Sequence, residues 1–314
     1  MSKMDSMLYP PFLQKGDKVV IITPASKIDK SLLEGAKNKL KAWGLRVSIS
    51  KHAASSCGCY SGSVAERLSD FQQALDDVEV KMILCSRGGY GAIHLVDKLD
   101  FTAFTTHPKW LVGFSDITLL HQLFQQKGFV SIHSFMAHHL SVEKADDPCT
   151  MALRNLLLDG DLPHYTFKGH SLNCSGSATG VLRGGNLAVM NGMRATPYDI
   201  VADGTILFLE DVGECPYHID RMMHNLRISG VLSKLSGLII GQFTQYEEDP
   251  SLGATVYDLI YQMVKPYHYP VCFDFPIGHV SENYPLICGS TISLEVQKNR
   301  VQLTTHRPTD KETE

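Results

Sequence analysis

The chain has 314 residues, 29 Lys and Arg against 33 Asp and Glu, a formal net charge of −4, and 44% hydrophobic and 20% charged residues. That apolar fraction excludes an intrinsically disordered chain, and the length fits about two domains of roughly 100–200 residues each. Near-balanced charge argues against a nucleic-acid or anionic-membrane surface as the main partner and points to a small, neutral-to-zwitterionic ligand.

The opening stretch MSKMDSMLYPPFLQKGDK contains no apolar core followed by a small-residue cleavage site. No segment approaches the roughly 18 apolar residues of a membrane span. The expectation is a cytoplasmic protein with no membrane partner. Eight cysteines are scattered without paired C-x-x-C spacing, and Cys57 and Cys59 lack the second pair that tetrahedral zinc needs. Most read as reduced, buried small hydrophobes, and no metal site is expected.

In chain order, KVVIITPAS (18–26) reads as a buried first strand, and Leu32, Leu33, Ala36, Leu40 and Trp43 recur at helical spacing. A second strand follows Gly44, over 45–50. Ser63 with Glu66 three residues later forms a capping box that opens a helix through Val64, Leu68, Phe71 and Leu75. The strand MILCS (82–86) ends in the loop RGGYG (87–91). A helix through Ile93, Val96 and Leu99, the strand WLVGFSD (110–116) and a helix from about Thr118 to Phe124 complete a repeated βαβα order. This is the pattern of a doubly wound parallel α/β sheet, which binds ligands beyond the carboxyl ends of its strands.

The polar stretch 159–179 reads as a linker between an α/β domain over 1–158 and a β-rich domain over 180–314. The second domain is expected to carry strands at 205–211, 237–243, 269–275, 291–296 and 300–305, with helices over 217–228 and 256–264. The tail RPTDKETE reads as frayed.

Four segments could carry chemistry. In LVGFSDITLL (111–120), Ser115 lies between a strand and a helix, where its hydroxyl stands above the sheet edge and the backbone N–H of Asp116 faces a developing oxyanion. The G-x-S-x-G of a nucleophile elbow is absent, and a helix cap is the competing reading of the same residues. SRGGYGA (86–92) offers Gly88 or Gly89 as a second oxyanion donor, an anion nest, or simply a tight turn that needs positive φ. FLEDVGECPYHIDRMMHNL (208–226) ends an apolar strand in Glu210 and Asp211, where a poorly solvated carboxylate needs a partner. His218 and His224, six apart, share no helical face and make a poor metal pair. FDFPIGHVSENYPL (273–286) displays His279 in a loop after a strand, a setting suited to general-base work.

Together with GDKVVIITPAS and GVLRGGNL (180–187), these segments resemble the LD-carboxypeptidase family of serine peptidases over nearly the whole chain. That family includes the muramoyltetrapeptide carboxypeptidases and the microcin C self-immunity hydrolases. The resemblance implies a flavodoxin-like or Rossmann-like N-terminal domain and a C-terminal β-rich domain of swivelling-barrel character. It also implies a Ser115–Glu210–His279 triad at the domain interface, with Glu214 as the competing acid, and the backbone N–H groups of Asp116 and of Gly88 or Gly89 as oxyanion hole. It implies no metal or organic cofactor, and a homodimer.

The substrate class implied is a murein tetrapeptide, cleaved between L-lysine or meso-diaminopimelate and the terminal D-Ala in peptidoglycan recycling. Arg221, Arg183 and Asn186 are candidates for the substrate carboxylate. Arg221 could instead pair with Glu214 or Asp220, Arg183 could brace the glycine turn, and Asn186 could satisfy local backbone groups. A peptidyl- or aminoacyl-nucleotide hydrolase is the alternative within the family. The short segment 199–205 and the presence of only two tryptophans, Trp43 and Trp110, reveal no base-stacking platform and favour the murein peptide. Outside it stand an esterase or amidase for small metabolites and a non-catalytic module binding an anionic ligand.

Overall fold

The computed structural model describes residues 7–307, so the tail beyond Arg307 and the first six residues lie outside the described residues. The described residues divide into two compact units, one of 7–161 with Glu282–Leu286, the other of Leu162–Ser281 with 287–307.

The first unit alternates strands β1 (Lys18–Ile22), β2 (Arg46–Ile49), β3 (Val80–Cys85), β4 (Trp110–Gly113) and β5 (Ser131–His133) with helices. These are α1 (Lys30–Ala42), α2 (Val64–Asp76), α3 (Thr102–Thr106), α4 (Thr118–Gln126), α5 (Ala137–Val142) and α6 (Pro148–Leu158). The strands stand in the order β2–β1–β3–β4–β5, every pairing among them parallel. β1, β3 and β4 are buried almost throughout, as a parallel sheet covered on both faces requires. This is the flavodoxin-like order, whose direction of winding reverses between β1 and β3; a crevice opens at such a point beyond the strand ends. The expected capping box is formed: Ser63 Oγ accepts from Glu66 N–H while Glu66 returns a bond to Ser63 N–H.

Two expectations in this unit need correction. The helix through Ile93, Val96 and Leu99 is one 3₁₀ turn, Ala92–His94, because so short a segment cannot repay helix nucleation. The strand expected to run to Asp116 ends at Gly113, since Ser115 adopts φ +66 and turns the chain out of the ladder.

The second unit holds β6 (His164–Lys168), β7 (Gly176–Asn186), β8 (Thr205–Val212), β9 (Leu235–Thr244), β10 (Val271–Cys272), β12 (Thr291–Val296) and β13 (Arg300–Thr305), while β11 (Leu286–Cys288), between β10 and β12 in the chain, pairs in the first sheet. Its sheet is mixed, in the order β10–β9–β8–β7–β12–β13–β6, parallel from β10 to β7 and antiparallel from β7 to β6. β12 and β13 alternate buried and less buried residues, which gives them one apolar face. β8 and β9 are buried on both faces, with α7 (Leu187–Gly192), α8 (Pro216–Ile228) and α9 (Val256–Val264) supplying apolar cover. Ile219, Met222, Met223 and Leu226 of α8 and Val256, Ile260, Met263 and Val264 of α9 recur at helical spacing and meet Leu207, Leu209, Leu238 and Ile240.

The stretch 159–179 contains β6, so it is part of the second sheet and not a free linker; its alternating Tyr165 and Phe167 supply the reason. Glu282–Leu286 returns to the first unit, and β11 stands at the β5 end of its sheet. The strand expected over 269–275 is reduced to Val271–Cys272 because Asp274 takes φ +61. Cys85, Cys149, Cys272 and Cys288 are buried, whereas Cys57, Cys59 and Cys215 are exposed and Cys174 is half-buried. Among the described residues no helix is long and apolar enough to cross a membrane, and no cluster of three or more His, Cys, Asp or Glu could hold a metal ion.

Candidate active site

Ser115, Asp116, Gly88 and Gly89 belong to the first unit. Glu210, His279, Arg183, Asn186 and Arg221 belong to the second.

Ser115 is half-buried, just beyond the carboxyl end of β4, and opens a 3₁₀ turn that continues into α4. A left-handed conformation at a residue with a side chain costs on the order of 1–3 kcal/mol and marks a position the surrounding structure overdetermines. The RGGYG loop leaves β3 beside it. At Gly88 a Cβ would stand 2.8 Å from Ser115 Cβ, 3.0 Å from its Oγ and 3.2 Å from the Asp116 nitrogen, so only glycine allows this approach. Gly89 has φ +91, as a tight strand-to-helix turn requires.

Asp116 differs from the cap that its sequence position suggests. Its buried carboxylate reaches across to the glycine loop, where Oδ2 accepts from Ala92 N–H at 2.8 Å. Burial pushes its pKa up to about 6, partly offset by the N–H groups of Ala92 and Gly91 and by the Arg67 guanidinium.

The second group is built on a β-bulge. Between Leu209 and Asp211 of β8 lies only Glu210, whereas β9 carries Gly241 and Gln242 between the partners Ile240 and Phe243. The segment after β10 lies along this bulge: Phe275 N–H donates to Ile240 O at 3.0 Å, and Gln242 N–H to Ile277 O at 3.0 Å. Gly278 then crosses Glu210 at φ +119, where a Cβ would stand 3.0 Å from both Cβ and Oε2 of that residue. The chain emerges with His279 Nδ1 2.8 Å from Glu210 Oε2. Glu210 is fully buried and Oε1 has no hydrogen-bond partner, while the His279 side chain keeps 19% of its surface. A carboxylate only accepts, so Nδ1 carries the proton of this bond, and in the neutral imidazole the lone pair lies on Nε2.

Glu214 pairs instead with His218 at 3.0 Å near the start of α8, and His224 stands 3.7 Å from Asp220. Arg221 is exposed and lies over the Tyr217 ring at 5.4 Å, so the expected alternative of a pair with Glu214 or Asp220 is replaced by a cation–π contact. Asn186 spends its amide locally: Oδ1 accepts from Val189 N–H as the N-cap of α7, and Nδ2 donates to Asp211 at 2.9 Å. The RGGN run is the end of β7 and not a turn, and Arg183 in it is buried, which lowers its pKa. Asp211 is held by Asn186 Nδ2 and the N–H groups of Ala188 and Val212, and burial, with the neighbouring Glu210 charge adding to it, pushes its pKa up to about 6.

The residues missed from sequence are those that hold others in place. Arg67, buried on α2, donates from Nη1 to Pro24 O at 2.7 Å and to Gly91 O at 2.8 Å. Its only sequence signal is a cation on the apolar face of an amphipathic helix.

Two family descriptions match the chain, the LD-carboxypeptidase N-terminal domain over residues 19–134 and the LD-carboxypeptidase C-terminal domain over residues 179–294. A Bacillus subtilis protein named a probable murein peptide carboxypeptidase is 34% identical over 296 residues, covering 91% of each chain. The crystal structure of muramoyltetrapeptide carboxypeptidase from Oxalobacter formigenes superimposes with a TM-score of 0.82 at 26% identity, over 92% of this chain and 99% of that one. MccF in complex with glutamyl sulfamoyl guanosine gives 0.84 over 97% and 99%, and at 18% identity this is a likeness of fold alone.

Proposed function

This chain belongs to the LD-carboxypeptidase family, and on that premise we propose that it is a serine carboxypeptidase releasing the terminal D-Ala of a murein tetrapeptide. Ser115 is the nucleophile, His279 the general base and Glu210 the acid that orients it. The observation that carries this reading is the 2.8 Å bond from His279 Nδ1 to a fully buried Glu210 carboxylate. It favours one tautomer, places the basic lone pair on Nε2, and stabilises the imidazolium that forms when Nε2 takes the Ser115 proton. Glu214, engaged with His218 on α8, has no such role.

Ser115 Oγ attacks the carbonyl of the diamino acid, and the backbone N–H groups of Asp116 and of Gly88 or Gly89 receive the oxyanion. Each such donor is worth on the order of 10²–10³ in rate. His279 then passes its proton to the departing D-Ala amine, and water hydrolyses the acyl-enzyme by the same base. The Arg183 and Arg221 guanidiniums remain candidates for the substrate carboxylate; for Asn186 the N-cap is the better account of the side chain. The protein is proposed to act as a cytoplasmic homodimer in murein peptide recycling, and light scattering on the purified protein checks the assembly.

The test is mass-spectrometric detection of D-Ala released from L-Ala-γ-D-Glu-meso-diaminopimelyl-D-Ala, beside Ser115→Ala, with and without a chelator. Release that persists with the chelator and vanishes in the variant supports both reaction and nucleophile. A folded protein inert toward this peptide and its lysine counterpart overturns the substrate, and aminoacyl-adenylate analogues become the next trial.

A further inference from the structure

We propose that Arg67 and the Asp116 carboxylate are positioning residues that fix the backbone of Gly88–Gly91 against Ser115. The inference rests on Ser115 being the nucleophile and adds a role for two side chains that touch neither substrate nor reacting atoms.

A loop with glycines at 88, 89 and 91 has little stiffness of its own, because glycine loses more conformational freedom on ordering than any other residue. Yet its place must be held to a few tenths of an ångström, since Gly88 stands closer to Ser115 than any side chain could. Both ends of the loop are tied. At the first end, Ser26 N–H donates to Gly88 O at 3.1 Å, and Tyr90 N–H donates to Ser26 Oγ at 3.1 Å. At the other, Arg67 Nη1 bridges Gly91 O and Pro24 O, Nη2 lies 3.2 Å from His94 Nδ1, and Asp116 Oδ2 accepts from Ala92 N–H. The guanidinium thus joins the loop to the segment after β1, and the carboxylate joins it to the residue that follows Ser115.

Both charges are buried, with Arg67 at 2% and Asp116 at 4% of full exposure. They attract one another, and the guanidinium also lies over the Tyr60 ring at 5.0 Å. Burying two ions without a direct salt bridge is expensive, and an apolar pair of similar volume would serve stability at least as well. What an apolar pair cannot do is hold two backbone carbonyls and a backbone N–H at set directions. That capacity is what a glycine loop beside a nucleophile requires.

The test compares Arg67→Gln, Asp116→Asn and Asp116→Ala with the unaltered protein and with Ser115→Ala, in kcat, KM and two affinities. One affinity is for a phosphonate analogue of the tetrahedral adduct, the other for the tripeptide product. Displacement of a catalytic group by about 1 Å costs on the order of 10²-fold, so kcat is expected to fall about 10–100-fold with KM changed less than about threefold. Asp116→Asn, which keeps an acceptor for Ala92 N–H, retains more than Asp116→Ala. Phosphonate affinity falls with kcat/KM while product affinity stays. Unchanged kcat and phosphonate affinity in folded Arg67 and Asp116 variants overturn the proposal, as does an equal loss of both affinities, which is the mark of a purely structural role. If heat denaturation finds these variants unfolded, Arg67→Lys, which keeps the buried charge but not the planar fork, carries the test: a several-fold drop in kcat and in phosphonate affinity is expected, and an unaltered kcat overturns. Ser115→Ala that still turns over refutes the nucleophile, a failure separate from this one.

Discussion

Replacing Gly278 with alanine strikes the Glu210–His279 pair without altering either residue. At φ +119 an alanine is strained by on the order of 1–3 kcal/mol. Its methyl carbon would also lie 3.0 Å from Glu210 Cβ and Oε2 and 3.2 Å from Gln242 O, and overpacking of this kind adds about 1–3 kcal/mol. Neither neighbour can retreat freely: Glu210 is fully buried on β8, and Gln242 belongs to the bulge whose N–H holds Ile277 O. The yielding part is the Gly278–His279 backbone, so the imidazole moves away from the carboxylate. A loss of about 2–6 kcal/mol lowers Tm by roughly 4–24 °C in a unit of this size, and a shift of about 1 Å at His279 lowers kcat/KM on the order of 10²-fold. Thermal denaturation and D-Ala release on the same preparation measure both. A variant with the original Tm and kcat/KM would refute the argument that close passage over Glu210 sets the histidine.

Glu210→Gln should reduce kcat by about 10³–10⁴-fold through loss of the oriented tautomer. Glu214→Gln breaks only a solvent-accessible pair and should leave kcat within about twofold, and steady-state kinetics that reverse this ranking would make Glu214 the acid. Gly88→Ala meets no positive-φ strain, yet its methyl collides with Ser115; turnover should fall roughly 10²-fold for about 1–3 kcal/mol of stability, and wild-type kcat with a lowered urea midpoint would contradict it. Asp211 keeps its proton to about pH 6 in the folded chain but releases it near its ordinary 3.8 when unfolded. Between these values the folded state holds more protons, so this group's contribution to stability falls as pH rises. The penalty of Asp211→Asn should therefore shrink by up to about 3 kcal/mol between pH 4 and pH 7 in urea titrations, and a constant penalty would refute the raised pKa.

Periodicity and capping are local, and they made much of the architecture readable along the chain. The run of four buried residues in β1, the Ser63–Glu66 box and the i, i+3, i+4, i+7 stripe of α8 identify strand and helix from neighbours in sequence alone. Strand ends were less legible: β4 stops at Gly113 short of Ser115, β8 runs on past Glu210 to Val212, and β10 ends at Cys272, well before His279. Where a segment's conformation depends on distant partners, the local pattern misled: the turn at 92–94 is capped by Asp116, and the ladder after Cys272 is broken at Asp274.

Residue types and their order sufficed to relate the chain to its family and to single out Ser115, Glu210 and His279 as candidates. The tertiary structure gives the two acids different partners: Glu210 stands 2.8 Å from His279 across 69 residues, and Glu214 3.0 Å from His218 across four. Only it returned 282–286 to the first unit, gave 164–168 to the second sheet, committed Asn186 to capping α7, and joined Arg67 to a loop 24 residues on. Hydrophobic patterning acts over one or two turns of chain and is written there. A hydrogen bond between buried groups depends on distance and direction in space, and those exist only after the sheets have brought remote segments together.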